Sequence, residues 1–305
     1  METPLSLLGE DALLARLLRG LPTNEDLLIG PGDDCAVVAC NEQYDMLLKT
    51  DVVVEAVHFD RDTPPDLIGR KALARCISDV AAMGGLPEHA LVTVLVHRDR
   101  TAEWVEGVYA GLNRLAAEYG VSVAGGETSS LPVDAAVLNV ALTGTVERGQ
   151  AVLRSGARPG DLICVTGTLG GSYPGEGHLR FTPRVEVARR LLAEGLRPSA
   201  MMDLSDGLGT DLPRLAAASH CGFDVDPSSL PCTPGCTTQQ AISDGEDYEL
   251  LMTFPPDLFA RARSLNLGVP LTPIGRITPE GSHGLTPGWQ HFLHGRTNSD
   301  YVEQG

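Results

Sequence analysis

Lysine is almost absent from this chain. Lys49 and Lys71 are its only lysines, and 23 basic residues face 40 acidic ones, for a formal net charge of −17. Such an acidic chain is a poor general partner for nucleic acid, whose phosphate backbone is gripped by basic faces. It stays open to a phosphate ligand where divalent metals invert the local field. Neither GxxxxGKS nor GxxxxGKT occurs, and neither lysine follows a glycine-rich loop, so a P-loop is excluded. The protein-kinase signature set is missing too. No apolar run approaches the roughly 18 residues of a membrane span. The opening METPLSLLGEDALLARLLRGL carries acidic residues early and reads as a short amphipathic helix, not as a signal peptide. The expectation is a cytoplasmic protein with no membrane or nucleic-acid partner. The seven cysteines include no CxxC, and Cys232 and Cys236 lack a second pair to complete a zinc site, so reduced thiols are expected.

What the chain does have is length enough for two cores and a 43% hydrophobic fraction typical of globular protein. Strands are expected at 36–39, 46–49, 90–96, 121–124 and 135–146. Helices are expected over 66–83, where Leu73, Cys76, Ile77, Val80 and Met83 form an apolar stripe, and after Thr101, an N-cap, to Gly120, a stop. A polar break near Glu147–Arg158 precedes a second set. It has strands at 162–166, 201–204, 223–225, 248–254 and 272–277 and helices at 184–193, 208–219 and 256–265. Strands and helices interleave with hairpin-like pairs, which predicts α+β rather than a doubly wound parallel sheet. The expected division is residues 1–147 and 148–305.

The segments GPGDDCAVV, Gly30–Val38, and KTDVVVEAVHFD, Lys49–Asp60, organise the rest. Adjacent carboxylates behind glycine are either a polar turn or hard-oxygen metal donors. Acidic residues then recur at element ends: Asp33, Asp34, Asp51, Asp79, Glu127, Asp203, Asp206, Glu246 and Asp247. A solvated helix face would space charges by helical turns, whereas these follow strands or sit beside glycines. Singly, each has a plain alternative: Asp206 can stabilise a helix N-terminus, and Asp79 can pair with Arg75. Together they suit phosphoryl transfer with several magnesium ions. Arg154 is a candidate phosphate fork. The TGTLGG stretch, Thr166–Gly171, is either a phosphate-cradling loop or a simple turn.

The segments GDDCAVV, KTDVVVEAVHF, ISDVAAMGG, AGGETS, RSGARPGD, MDLSDGL and DGEDYEL occur in this order. Together they resemble the thiamine-monophosphate kinase family, within the ATP-binding superfamily of aminoimidazole ribonucleotide synthetase and selenophosphate synthetase. The resemblance spans about residues 6–293. It implies Mg2+- and ATP-dependent phosphorylation of thiamine monophosphate to thiamine diphosphate by direct in-line transfer. It also implies a two-domain aminoimidazole ribonucleotide synthetase-like fold. The N-terminal domain would bind metal and ATP and form a shared barrel in a homodimer. Position by position, Asp34, Thr50, Asp51, Asp79, Glu127, Asp203 and Asp206 fall on magnesium positions, and Lys49 on one served by its backbone carbonyl. Asp51, Asp79 and Asp206 would stand closest to the chemistry. Tyr109, Gly126, Arg154 and Ser205 fall on ATP positions, and His58, Glu246 and Trp289 on thiamine-phosphate positions. A cationic thiazolium suits an aromatic face and a carboxylate, here Trp289 and Glu246. Trp289, His58 and Tyr109 each also have a plain alternative as packed side chains.

Three departures stand out. Glu127 occupies a place where the family usually has aspartate, Pro31 stiffens the loop before the acidic pair, and the segment 171–199 is short. Two competing readings follow. One is a sister synthetase of the superfamily, disfavoured because Cys35 directly follows the acidic pair instead of lying in a glycine-rich loop. The other is a non-catalytic nucleotide- or thiamine-phosphate-binding protein, for which Glu127 is the only support.

Overall fold

The structure is a computed structural model that describes residues 4–173 and 175–286. In chain order it opens with α1 (Leu5–Leu8) and α2 (Glu10–Leu17). The single amphipathic helix expected there is broken at Gly9, whose φ of 75° is in the left-handed region that favours glycine. Then follow β1 (Leu27–Ile29), β2 (Ala36–Ala39), β3 (Tyr44–Val54), α3 (Pro65–Ala82), β4 (Leu86–His97), α4 (Ala102–Tyr119), β5 (Ser122–Leu131) and β6 (Ala136–Glu147). A second series comprises β7 (Leu162–Thr166), α5 (Gly177–Arg180), α6 (Val185–Ala193), β8 (Ala200–Asp203) and α7 (Leu208–Ala218). It continues through β9 (Gly222–Val225), α8 (Thr238–Ser243), β10 (Leu250–Phe254), α9 (Pro256–Arg263), β11 (Leu271–Thr278) and β12 (Ser282–His283).

The strands form two six-stranded mixed sheets, ordered β1-β2-β3-β6-β4-β5 and β12-β9-β11-β7-β10-β8. Among the described residues, β4/β5 and β12/β9 pair in parallel and the other neighbouring strands are antiparallel. This is the mixed, hairpin-rich pattern expected from the sequence as α+β, in place of a doubly wound parallel sheet.

The first sheet is covered on one face. Along β6, burial alternates residue by residue. Leu138, Val140 and Leu142 join Leu73, Ile77 and Val80 of α3 and Leu112 and Leu115 of α4 in one core. The second sheet is covered on both faces. On β7, Ile163 and Val165 pack with α7 and α8, while Cys164 packs with α6 and α9. A strand buried on both sides has no reason to alternate polar and apolar residues, so LICVT and LLMTF are almost continuously apolar.

Two elements differ from expectation in a way that positions the site. β5 was expected to stop at Ala124, before Gly125-Gly126, but it runs on to Leu131. Gly126 is a requirement of the sheet, since a Cβ there would lie 1.8 Å from the carbonyl oxygen of Val92 on β4. α3 was expected to bury one stripe. It also buries Lys71, Ser78 and Asp79, because α3 contacts β8, α5 and α6 of the second series as well as its own sheet and α4. α3 therefore carries polar side chains into the seam between the two sheets.

Candidate active site

β3 ends in TDVVV, four of whose five residues are β-branched, and its alternation points Lys49 and Asp51 to the side opposite Thr50. The hydroxyl of Thr50 donates to Asn139 on β6 at 3.0 Å instead of facing the acidic residues. Asp34, behind the Gly-Pro-Gly turn, Asp79, in the last turn of α3, and Asp203, at the end of β8, converge. Each offers an oxygen within 4.8 Å of the others, and all three are buried. Asp34 accepts from the Arg154 guanidinium, Asp79 takes the Lys49 ammonium at 2.8 Å, and Asp203 accepts from the Ser78 hydroxyl at 2.5 Å.

Close buried carboxylates raise one another's pKa, and Asp79 and Asp203 of this group are raised. Burial is the leading cause at Asp203, which is pushed up to about 7, with the Asp34 charge adding to it. Burial also holds Asp79 well above the carboxylate range; Lys49 opposes this and Asp203 and Asp51 reinforce it. Burial pulls Lys49 down, yet Asp79 and Asp51 outweigh it and hold the ammonium above the ordinary lysine value. A buried oxygen of Asp34, Oδ2, has no hydrogen-bond partner. An unpartnered buried carboxylate oxygen between two more carboxylates is the donor set of a hard divalent cation.

These residues border a cleft of about 350 Å³ lined by Glu10, Lys49, Asp51, His58, Arg75, Asp79, Arg154, Asp203, Ser205, Asp206 and Tyr248. Of the residues singled out from sequence, the cleft thus gathers Lys49, Asp51, His58, Asp79, Arg154, Asp203, Ser205 and Asp206, with Asp34 directly behind Arg154. Arg75 does not pair with Asp79; it grips Asp51 at 3.0 and 3.1 Å. Asp206 is held by Arg214 of α7 at 2.5 Å, and the same arginine reaches Asp11 of α2 at 3.3 Å. His58 accepts from the Val54 amide through Nδ1 at 3.1 Å, so Nε2 carries the ring proton of the neutral form.

Other candidates lie elsewhere. Glu127 is exposed on β5 and accepts from the adjacent Thr128 amide at 3.1 Å. Gly126 is explained by the sheet, and Tyr109 is partly buried against the first core. Trp289 falls outside the described residues. The glycine amides of the TGTLGG loop are spent inside the protein: Gly167 N–H donates to the carbonyl of Pro270, Gly170 N–H to Asp247 and Gly171 N–H to Asp244, each at 3.0 Å. Glu246 is buried away from the cleft lining, with its carboxylate 2.6 Å from the ammonium of Lys71. Its charge is therefore matched inside the protein by Lys71. Cys35 is buried and its thiol is held well above the ordinary value, first by burial and then by Asp79, so it is no nucleophile.

Sequence reasoning missed Lys71, His178, Arg75, Arg214 and Tyr248. The rarity of lysine was a signal: Lys71 sits in the middle of an otherwise apolar helix stripe, a costly position without partners.

Comparison with known proteins now narrows the chemistry. Residues 32–146 match the family described as AIR synthase related protein, N-terminal domain. A thiamine-monophosphate kinase of Rhodopirellula baltica is 34% identical over 95% of this chain and 98% of its own length. This chain belongs to the thiamine-monophosphate kinase family. The Escherichia coli thiamine-monophosphate kinase is 35% identical over 89% of this chain and 91% of its own. Among solved structures, AaThiL complexed with AMPPCP and TMP superposes with a TM-score of 0.83 at 31% identity, covering 95% of this chain and 99% of that one. The chain is therefore an enzyme of a kinase family with the AIR-synthase-like two-sheet fold. HypE in the HypE-HypF complex, at 18% identity and a TM-score of 0.71, shares that fold.

Proposed function

We propose that this protein transfers the terminal phosphate of ATP to thiamine monophosphate, giving thiamine diphosphate and ADP, by a magnesium-dependent in-line displacement. An oxygen of the acceptor phosphate forms a bond to the γ-phosphorus, and the bond from that phosphorus to the β–γ bridging oxygen breaks. The acceptor is already ionised, so no protein nucleophile and no strong base are required. Positioning and charge neutralisation are what the site must supply.

The observation that carries this reading is the buried triad Asp34, Asp79 and Asp203, with its unpartnered Asp34 oxygen, in a relative of the AaThiL complex with AMPPCP and TMP. These three carboxylates, with Asp51 and Asp206 on the rim, would hold magnesium, which neutralises phosphate oxygens when bound. Arg154 and Lys49 stand in the same cleft as fixed positive charges, and His58, which lines it too, is the residue we assign to the acceptor phosphate. We assign residues 1–147 to metal and nucleotide binding and dimerisation and residues 148–305 to the second domain. The cytoplasm is the compartment we assign.

A homodimer built through the first sheet is part of this reading. The uncovered face of that sheet carries rows set by register: Leu48, Thr143 and His89, then Thr50, Ala141 and Leu91, then Val52, Asn139 and Thr93. Leu91 is 53% exposed there, with Leu48 and Val52 also exposed, an apolar surface suited to a second copy. Leu91→Asp is expected to convert a dimer into a monomer by light scattering. A monomeric unmodified protein overturns the dimer.

The reaction is tested by ADP release from purified protein with ATP and magnesium, with and without thiamine monophosphate. Release that depends on thiamine monophosphate is expected. Turnover indifferent to it points to a sister synthetase, and binding without turnover to a non-catalytic protein, with Glu127→Asp the first change to examine.

A further inference from the structure

Lys71 is 0% exposed, in the middle of α3. A buried ammonium needs an acceptor for each of its three protons. Lys71 has them: the carbonyl oxygen of His58 at 2.6 Å, Nδ1 of His178 at 2.7 Å and Oε2 of Glu246 at 2.6 Å. The ammonium has no lone pair, so towards Lys71 the Nδ1 of His178 is the acceptor. Oε2 of Glu246 lies 3.1 Å from the same Nδ1, so both acceptors close on one cation.

The three acceptors come from three separate pieces of chain. His58 is in the turn after β3, His178 in α5 at the end of the glycine-rich segment, and Glu246 in the turn between α8 and β10. Two of these pieces also wall the cleft. The ring of His58 lines it, and so does Tyr248, two residues after Glu246. The Glu246 amide donates to the carbonyl of Ser205, another lining residue, at 2.8 Å. Glu246 and Tyr248 have φ of 58° and 51°. Two side-chain-bearing residues in that region within three positions are strained and persist only where surrounding structure over-determines them. Lys71 is such a determinant. Its cation is matched by Glu246 across the seam between the first and second sheets.

We infer that Lys71 is a positioning residue for the acceptor half of the cleft, fixing the His58 and Ser205–Tyr248 walls without touching substrate. This rests on the proposed transfer to thiamine monophosphate. Loss of the ammonium frees the 244–249 turn to relax and releases the His58 carbonyl. The triad of Asp34, Asp79 and Asp203 is held by other partners, Arg154, Lys49 and Ser78.

The test is Lys71→Met in the full-length protein, with initial rates against thiamine monophosphate and against ATP at saturating magnesium. The KM for thiamine monophosphate is expected to rise at least tenfold, with the KM for ATP within twofold. A merely structural role would lower the rate per milligram and leave both KM values alone. That result, or an equal rise in both, overturns the inference. If Lys71→Met does not fold, the double variant Lys71→Met/Glu246→Gln removes the buried pair together and is compared with Glu246→Gln alone. The double is again expected to show the higher KM for thiamine monophosphate, and equal values overturn the inference. The unmodified enzyme decides the transfer reading separately. If it shows no turnover with thiamine monophosphate, the same variants are compared by calorimetric affinity for that ligand. A tenfold weakening on loss of Lys71 upholds the positioning role, and unchanged affinity overturns it.

Discussion

Asp79→Asn should lower turnover by about 10³-fold or more, roughly 4 kcal/mol of barrier, while the protein stays folded. The two halves of this expectation have different causes. The amide keeps an oxygen to accept from Lys49, now 2.8 Å away, so local geometry survives. The change loses an attraction to Lys49 but relieves repulsion from Asp34 and Asp203, whose oxygens lie within 4.8 Å. These terms oppose each other, so the melting temperature is expected to stay within about 4 °C, the equivalent of about 1 kcal/mol. Catalysis has no such compensation, because an amide is a poor ligand for a hard divalent cation and carries no charge. Steady-state ADP release with ATP, magnesium and thiamine monophosphate, beside a thermal melt, measures both. Turnover within tenfold of the unmodified protein would remove Asp79 from the metal set. A melt lowered by more than about 10 °C would make its role chiefly structural.

Substituting either of two glycines should damage the fold more than any surface change. α3 and α4 cross at Gly69 and Gly111. A Cβ on Gly69 would sit 1.9 Å from the carbonyl oxygen of Val108, and one on Gly111 would sit 1.8 Å from that of Asp66. Both obstacles are backbone, which cannot rotate out of the way as a side chain can. Alanine at either place must push the helices apart and open the core they share with β3, β4 and β6. The expected cost is about 3 kcal/mol, at the upper end for overpacking, or about 6–12 °C in melting temperature. Activity should fall with it, because α3 carries Lys71, Arg75 and Asp79. Asn113→Ala, on the exposed side of α4, is the control and should change stability by less than about 0.5 kcal/mol. Thermal melts of the three variants decide it. A Gly69→Ala or Gly111→Ala protein as stable as the control would mean the helices do not cross this closely.

Much of this protein follows from its sequence alone. Hydrophobic periodicity and glycine stops place α3 and α4 within a residue or two, because an amphipathic helix declares itself locally. Thr101 caps α4 by accepting from the Trp104 amide, and Gly120 ends it at a φ of 69°, both readable from residue type. Acidic residues at element ends, and seven short segments in order, are enough to point to a phosphoryl-transfer site. What partners each charge chooses is not local. Asp79 takes Lys49 instead of Arg75, Arg75 takes Asp51, and Glu246 takes Lys71, over separations of 30, 24 and 175 residues. Those pairings depend on how β3 and α3 pack and on how the second sheet closes over α3. The glycines of TGTLGG and AGGETS are ambiguous for the same reason. Only the packed chain decides that Gly170 and Gly171 spend their amides on Asp247 and Asp244, and that Gly126 is needed for the approach of β4. Sequence determined most of the longer elements and the chemical class of the site. Tertiary structure decided which buried charges are neutralised and which are left facing the cleft, because in a low-dielectric interior that depends on distances between residues far apart in the chain.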